Sequence, residues 1–201
     1  MIIWKTGDIF TTECSTIVNT VNIEGVMGKG IALECKKRYP LMFKCYTYAC
    51  KYLHGQEQNV KTTILNQGGD IYFWYNPKSN EDKGLWEDLI LGVNELHNGI
   101  LLDSIDNKCI LNFATKEFWR NPSKIEWIER GLYNFAEKDY EGTNGKMYKY
   151  WNLGPDTWTK GMSTIAWPKL GCTNGGLNWE DVRKLIIKYL DPLPIICEIW
   201  E

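Results

Sequence analysis

The sequence predicts an α/β domain built on a mainly parallel sheet with helices on both faces. Three observations lead there. Short runs of β-branched and apolar residues alternate with stretches of helical period. Several of the runs are apolar without a break, as strands buried on both faces are. Two of them end in glycine-rich turns that lead straight into helices, the layout of a strand–loop–helix unit.

In chain order, Met1–Lys5 and Thr16–Val21 read as buried strands. Gly28 and Gly30 precede a helix over Ile31–Tyr39, which Pro40 stops or bends. Leu41, Cys45, Tyr48, Ala49 and Tyr52 recur at helical spacing and predict a second helix. Thr62–Leu65 and Ile71–Trp74 read as strands, paired as a hairpin around Gly68-Gly69, and Leu85, Leu89, Val93 and Leu96 mark a further helix. Cys109–Ala114 is a strand. The next helix opens either on Asn121-Pro122, since proline is tolerated in a first turn, or on a capping box of Ser123 and Glu126. Ile125, Ile128, Leu132 and Phe135 form its buried face. Ser163–Trp167 is a strand ended by Pro168. Asn178 caps a last helix whose Val182, Leu185, Ile186 and Tyr189 share a face, and Pro194–Trp200 is a closing strand.

The chain has 201 residues, enough for one domain with an insert. Asp139–Met162 is aperiodic, rich in Gly, Tyr and Trp, and too long for an ordinary connection. It reads as an ordered surface excursion or as a flap over a ligand. Net charge is −2, which excludes a protein that lives by phosphate contacts along a duplex. No apolar run reaches the roughly 18 residues of a membrane span, and the N-terminal stretch lacks a leader layout. Seven cysteines without a CxxC pair read as free, mostly buried thiols of a reducing cytoplasm. Only His54 and His97 are present, and neither neighbours a nucleophile elbow, so histidine-based nucleophilic catalysis and a catalytic zinc are disfavoured. The reading calls for no metal and no cofactor. Ten Trp and eleven Tyr are many for this length; core packing is the first explanation, and stacking on a flat ligand is the second.

Three segments carry chemistry. In the first, 16–33, a strand enters a glycine turn and then a helix. Gly28 and Gly30 admit close backbone approach, and the helix start offers unpaired N–H groups to an anion without any net positive charge. Asn19 and Asn22 offer amides just before the turn. The second, 167–179, repeats this build with Gly171, Gly175 and Gly176, so two loops of one kind point to a ligand gripped from both sides, such as a diphosphate. In the third, 111–123, Lys116 follows a strand end. A partly desolvated amine there can act as nucleophile or base. Trp119 and Arg120 are placed to stack on or hold a substrate.

Together, GVMGKGIAL, NFATKEFWRNPSKIEWIERGL and LGCTNGGLNWEDVR resemble, in order, the macrodomain of the DarG antitoxin family, and GDIF at Gly7–Phe10 resembles the GDI opening of macrodomains generally. The resemblance spans most of the chain apart from about Gln56–Asn107 and Asp139–Met162. It implies a single macrodomain over 1–201, with a mixed, mainly parallel six-stranded sheet between helices and ADP-ribose at its crest. It places Asp8 at the adenine amino group and Ile9 beside the ring, and puts Asn19 and Asn22 near the distal ribose. Val26, Met27, Gly28, Lys29, Gly30 and Ile31 fall on the diphosphate and distal ribose, as do Gly171, Cys172, Thr173, Asn174, Gly175, Gly176 and Leu177, with Thr115 beside them. Lys116 matches a lysine such enzymes need for hydrolysis. The implied partner is ADP-ribose or an ADP-ribosylated substrate, with thymidine in single-stranded DNA as the family's target. The chain departs from the family pattern at Thr173 and at Asn178, where family members carry Gly and Asp. An amide is no carboxylate base, so Glu180 or Asp181 would have to replace it if an acid is required. That keeps a non-catalytic reader or sponge of ADP-ribose beside the glycohydrolase as an alternative. A phosphatase of ADP-ribose 1″-phosphate is a third.

Overall fold

A computed structural model describes residues 1–51, 71–74, 108–140 and 164–201. The expected strand at Thr62–Leu65, its hairpin turn, the helix around Leu85–Leu96 and nearly all of the aromatic insert lie outside the described residues.

Six strands form one sheet: β1 (Ile2–Lys5), β2 (Thr16–Val21), β3 (Ile71–Trp74), β4 (Cys109–Ala114), β5 (Thr164–Pro168) and β6 (Ile196–Trp200). Their order is β1-β6-β5-β2-β4-β3. Every pair is parallel except β3 with β4. The mixed, mainly parallel sheet expected from the sequence is therefore present. The helices are α1 (Gly30–Arg38), α2 (Pro40–Lys51), α3 (Ile125–Tyr140) and α4 (Trp179–Leu190), and a 3-10 turn covers Ile9–Thr11.

Alternation along the central strands sorts side chains onto two cores. Ile17, Val21, Ile110, Ala114 and Ala166 face α1 and α2, packing with Cys35, Tyr39, Met42 and Tyr46. Val18, Leu111, Phe113, Ile165 and Trp167 face α3 and α4, packing with Ile128, Leu132, Val182 and Ile186. Trp167 is fully buried, with the Phe135 ring edge-on at 5.1 Å, so part of the aromatic excess does serve the core. Gly131 brings α3 onto β4, because a methyl group there would fall on the Phe113 ring.

Three local expectations change. Strand β1 is an edge strand, and its Trp4 is exposed rather than buried, because only β6 pairs with it. In α2 Met42, Tyr46 and Cys50 are buried; the side chains of the stripe read in the sequence, Leu41, Cys45, Tyr48, Ala49 and Tyr52, lie outside the described residues. Pro122 lies upstream of α3 instead of in its first turn, and no capping box forms. The Ser123 backbone N–H donates to Gly175 O at 2.9 Å, which draws Ser123 away from the helix and against another loop. Asp139 and Tyr140 continue α3 and do not begin the excursion. Cys14, Cys35, Cys50, Cys109 and Cys197 are free and buried, and Cys172 is free and half-buried. Among the described residues no helix is long and apolar enough to cross a membrane.

Candidate active site

Strands β2, β4 and β5 all end on the same edge of the sheet, because they run parallel. The loops that follow them meet there and enclose a cleft of about 470 Å³.

The loop after β2 is tied to itself. Asn22 Nδ2 donates to Val26 O at 2.7 Å, and Asn22 Oδ1 accepts from the N–H groups of Glu24 and Val26 at 3.0 and 3.2 Å. The Tyr46 hydroxyl donates to the Asn22 carbonyl at 2.6 Å from beneath. Burial raises the Tyr46 phenol well above its usual range, so it stays a neutral donor. Asn22 lines the cleft, yet its amide is committed to shaping the loop. The loop then opens. Lys29 caps α1 without a side-chain hydrogen bond, and Gly28, Gly30, Ile31 and Ala32 line the cleft. The first-turn N–H groups of α1 have no intrahelical partner and are available to an anion.

The loop after β5 is built differently. Gly171, at φ +68°, lies under Leu177 and Ser123, and Gly175 packs on Gly171 and Ser123 so tightly that a methyl group would collide with both. Leu177 N donates to Gly171 O at 3.1 Å and closes the turn. Among the described residues, the N–H groups of Thr173, Asn174 and Gly175 carry no protein hydrogen bond. The helix behind this loop offers no anion site, contrary to expectation. Asn178 Oδ1 caps α4 by accepting from Glu180 and Asp181 N–H at 2.9 and 3.4 Å.

Lys116 joins the two loops. Backbone N–H groups of Thr115 and Lys116 donate to Val21 O at 3.0 and 3.3 Å, fixing the start of the third loop against the first. Lys116 Nζ donates to Asn174 O at 2.6 Å and to Trp119 O at 3.4 Å. Among the described residues no carboxylate pairs with it, and partial burial lowers its pKa from the ordinary 10.5. More of it is therefore free amine near neutrality than for a solvated lysine.

A second groove continues from the first past Ile31, Pro168, Lys169 and Thr173, which line both. Asp8, Ile9, Cys172 and Leu177 line it, with Phe10, Trp179 and Trp200. Asp8 Oδ1 accepts from Phe10 N–H at 3.0 Å, which leaves its other oxygen for a ligand. Burial pushes the Cys172 thiol up to about 11, so it is protonated near neutrality and is no nucleophile.

Most of the residues that the resemblance places at ADP-ribose thus come together, but three of them do not line either groove. Asn19 is fully buried; its Nδ2 donates to Asn112 Oδ1 at 2.8 Å, its cross-strand neighbour, and cannot reach a ribose. Met27 is buried behind the first loop, and Gly176 serves the backbone at φ +78°. Sequence reasoning missed Lys169, which lines both grooves, and Ser123, whose buried hydroxyl underlies the second loop. Lys169 lies just beyond a strand end, a signal that was present; nothing near Ser123 in sequence announces its contact.

No protein-family model matches the chain. It is 31% identical over 195 residues to the DNA ADP-ribosyl glycohydrolase of Mycobacterium tuberculosis, covering 96% of this chain and 40% of that protein. The chain thus spans about two fifths of the curated relatives it matches. Among solved structures, the macrodomain of M. tuberculosis DarG superposes with a TM-score of 0.64 at 31% identity, covering 100% of this chain and 97% of that one. Thermosipho africanus DarTG in complex with ADP-ribose gives 0.62 at 28% identity, over 98% of this chain and 41% of that one. With 31% identity across the whole domain, the chain belongs to the DarG macrodomain family.

Proposed function

We propose that the cleft binds ADP-ribose and that the chain is an ADP-ribosyl glycohydrolase, removing ADP-ribose from thymidine in single-stranded DNA. The observation that carries this is the position of Lys116, an amine with lowered pKa held between two loops whose free N–H groups suit a diphosphate. The relatives named DNA ADP-ribosyl glycohydrolase and the relative solved with ADP-ribose support the same reading. Adenine fits the groove of Asp8 and Ile9, and the distal ribose fits the end at Lys116. The neutral amine attacks the anomeric carbon. The electron pair of the breaking glycosidic bond leaves with the base, which takes up the proton the amine sheds. Water then releases ADP-ribose and regenerates the lysine. Splitting one displacement into two lowers the barrier of each.

The Asn178 departure does not favour a non-catalytic reader. That position caps α4, and an Asp would do the same there.

The test is turnover of thymidine-ADP-ribosylated oligonucleotide beside glutamate-ADP-ribosylated protein. Lys116→Ala is expected to lower oligonucleotide turnover by at least about a hundredfold, with affinity for free ADP-ribose kept within a few fold. Wild-type kcat/KM should climb with pH through neutrality toward a midpoint below 10.5, since only the free amine attacks. Equal rates in the two proteins would remove Lys116 from the mechanism; a wild type inert on both linkages would leave a reader.

A further inference from the structure

Just outside the Lys116 end of the cleft, the chain displays two large rings on a rigid turn. Phe118 is 51% exposed and Trp119 46%. Exposed neighbours of this kind usually belong to loose loops, but this turn is fixed on all sides. Ile23 N–H donates to Glu117 O at 3.1 Å, Asn121 N–H to Phe118 O at 3.1 Å, and Trp119 N–H to Glu24 Oε2 at 2.7 Å. The Arg120 guanidinium lies 4.7 Å from the centre of the Trp119 ring. Glu24, Phe118, Trp119, Arg120 and Asn121 line a groove of about 390 Å³. Trp119 lines both this groove and the ADP-ribose cleft, so the two lie side by side across its ring.

We infer that this groove is a stacking platform for an unpaired nucleobase of the strand that carries the modification. The inference rests on the proposed function and adds how the target outside ADP-ribose is held. Two exposed aromatic rings held in place offer π-faces that any base can use, and a base inside a duplex cannot present its face to them. The lining charges say which part of the strand turns inward. Arg120 is the one cation among the lining residues and is engaged with a ring, while Glu24 is an anion that accepts a backbone N–H. The two charges cancel, so the floor offers phosphates no net attraction, while its rings offer bases a face. Binding here therefore depends on stacking more than on counterion release and has a shallow salt dependence.

The experiment measures two things. Fluorescence anisotropy follows an unmodified ten-nucleotide thymidine-rich single strand, and the same sequence as a duplex, with the cleft saturated by ADP-ribose. Turnover compares an ADP-ribosylated oligonucleotide with ADP-ribosylated thymidine lacking flanking nucleotides. Phe118→Ala, which lies outside the cleft, is expected to weaken single-strand binding and oligonucleotide kcat/KM by about tenfold. It should leave ADP-ribose affinity and turnover of the single nucleoside unchanged. Trp119→Leu should lose oligonucleotide kcat/KM by a similar factor, and Trp119→Phe should largely restore it. Both residues are exposed, so the variants fold. Equal binding of duplex and single strand, or full oligonucleotide turnover in Phe118→Ala, overturns the platform. So does an equal loss on ADP-ribosylated protein, which would assign the rings to a protein target. Strand binding that Phe118→Ala abolishes, with no turnover of any modified strand by wild type, would break the proposed glycohydrolase and keep the platform.

Discussion

The two glycine-rich loops read alike in the sequence, and the structure gives them opposite designs. Residues 22–30 are held by side chains, Asn22 from within and Tyr46 from below, and their Gly28 has nothing within 4 Å of where a methyl would stand. Residues 171–177 are held by the absence of side chains, with Gly171 and Gly175 pressed on each other and on Ser123. Behind the first loop a helix start is open; behind the second it is closed by Asn178. One glycine faces open space in the cleft and the other is packed into the fold. The same residue type therefore predicts different consequences when it is replaced.

The largest effect is expected from Gly175→Ala. Its methyl would meet the Gly171 carbonyl and the Ser123 hydroxyl, and neither can retreat within a buried turn. A cost of about 3 kcal/mol, at the upper end of overpacking, should appear as a lower urea midpoint with unchanged slope, together with loss of ADP-ribose binding. Gly28→Val is the matching change in the first loop. Stability should move by less than about 0.5 kcal/mol, while ADP-ribose affinity measured by calorimetry falls by about a hundredfold or more, roughly 3 kcal/mol, because a branched side chain fills the cleft. If Gly28→Val unfolds and Gly175→Ala only weakens binding, the assignment of the two loops is reversed.

Much of this was legible because some residue types carry their geometry with them. Glycines after a strand end, a lysine past β4 and an Asn before α4 each have a local reason to be where they are. Asn19 misled because strands buried on both faces show no alternation, so nothing in the sequence says which way position 19 points. Ser123 and Lys169 were silent because their importance arises from pairing across the fold: Ser123 meets Gly175, far along the chain, only once β4 and β5 are set in place.

A smaller effect tests how the first loop is held. Tyr46→Phe removes the 2.6 Å hydrogen bond to the buried Asn22 carbonyl and leaves that acceptor without a donor. The expected cost is roughly 1–3 kcal/mol, visible as a lower thermal midpoint. ADP-ribose affinity should fall only several fold, because the α1 start that meets the anion is a separate element. The phenol's raised pKa implies that the gap between wild type and variant stays constant from mildly acidic to mildly alkaline pH, as Tyr46 remains neutral throughout. An affinity loss as large as that of Gly28→Val would mean that the hydroxyl controls the cleft directly.

The smallest effect is expected at Asn178, and it bears on whether the second loop supplies chemistry as well as shape. Its carbonyl oxygen accepts two N–H groups at the start of α4, and the residue lines neither groove. Asn178→Ala should therefore cost about 1 kcal/mol in unfolding free energy through the lost cap, with turnover unchanged under conditions where the protein is folded. Asn178→Asp keeps the cap. The new charge gains from the helix dipole but faces Glu180 and Asp181 in the same first turn, so the net change should stay within about 0.5 kcal/mol. The decisive measurement is kcat of Asn178→Asp on the modified oligonucleotide. If the position is only a cap, the aspartate variant turns over at the wild-type rate. A tenfold gain would show that a carboxylate at 178 takes part in the reaction, and the second loop would then have to be redrawn as part of the catalytic machinery beside Lys116.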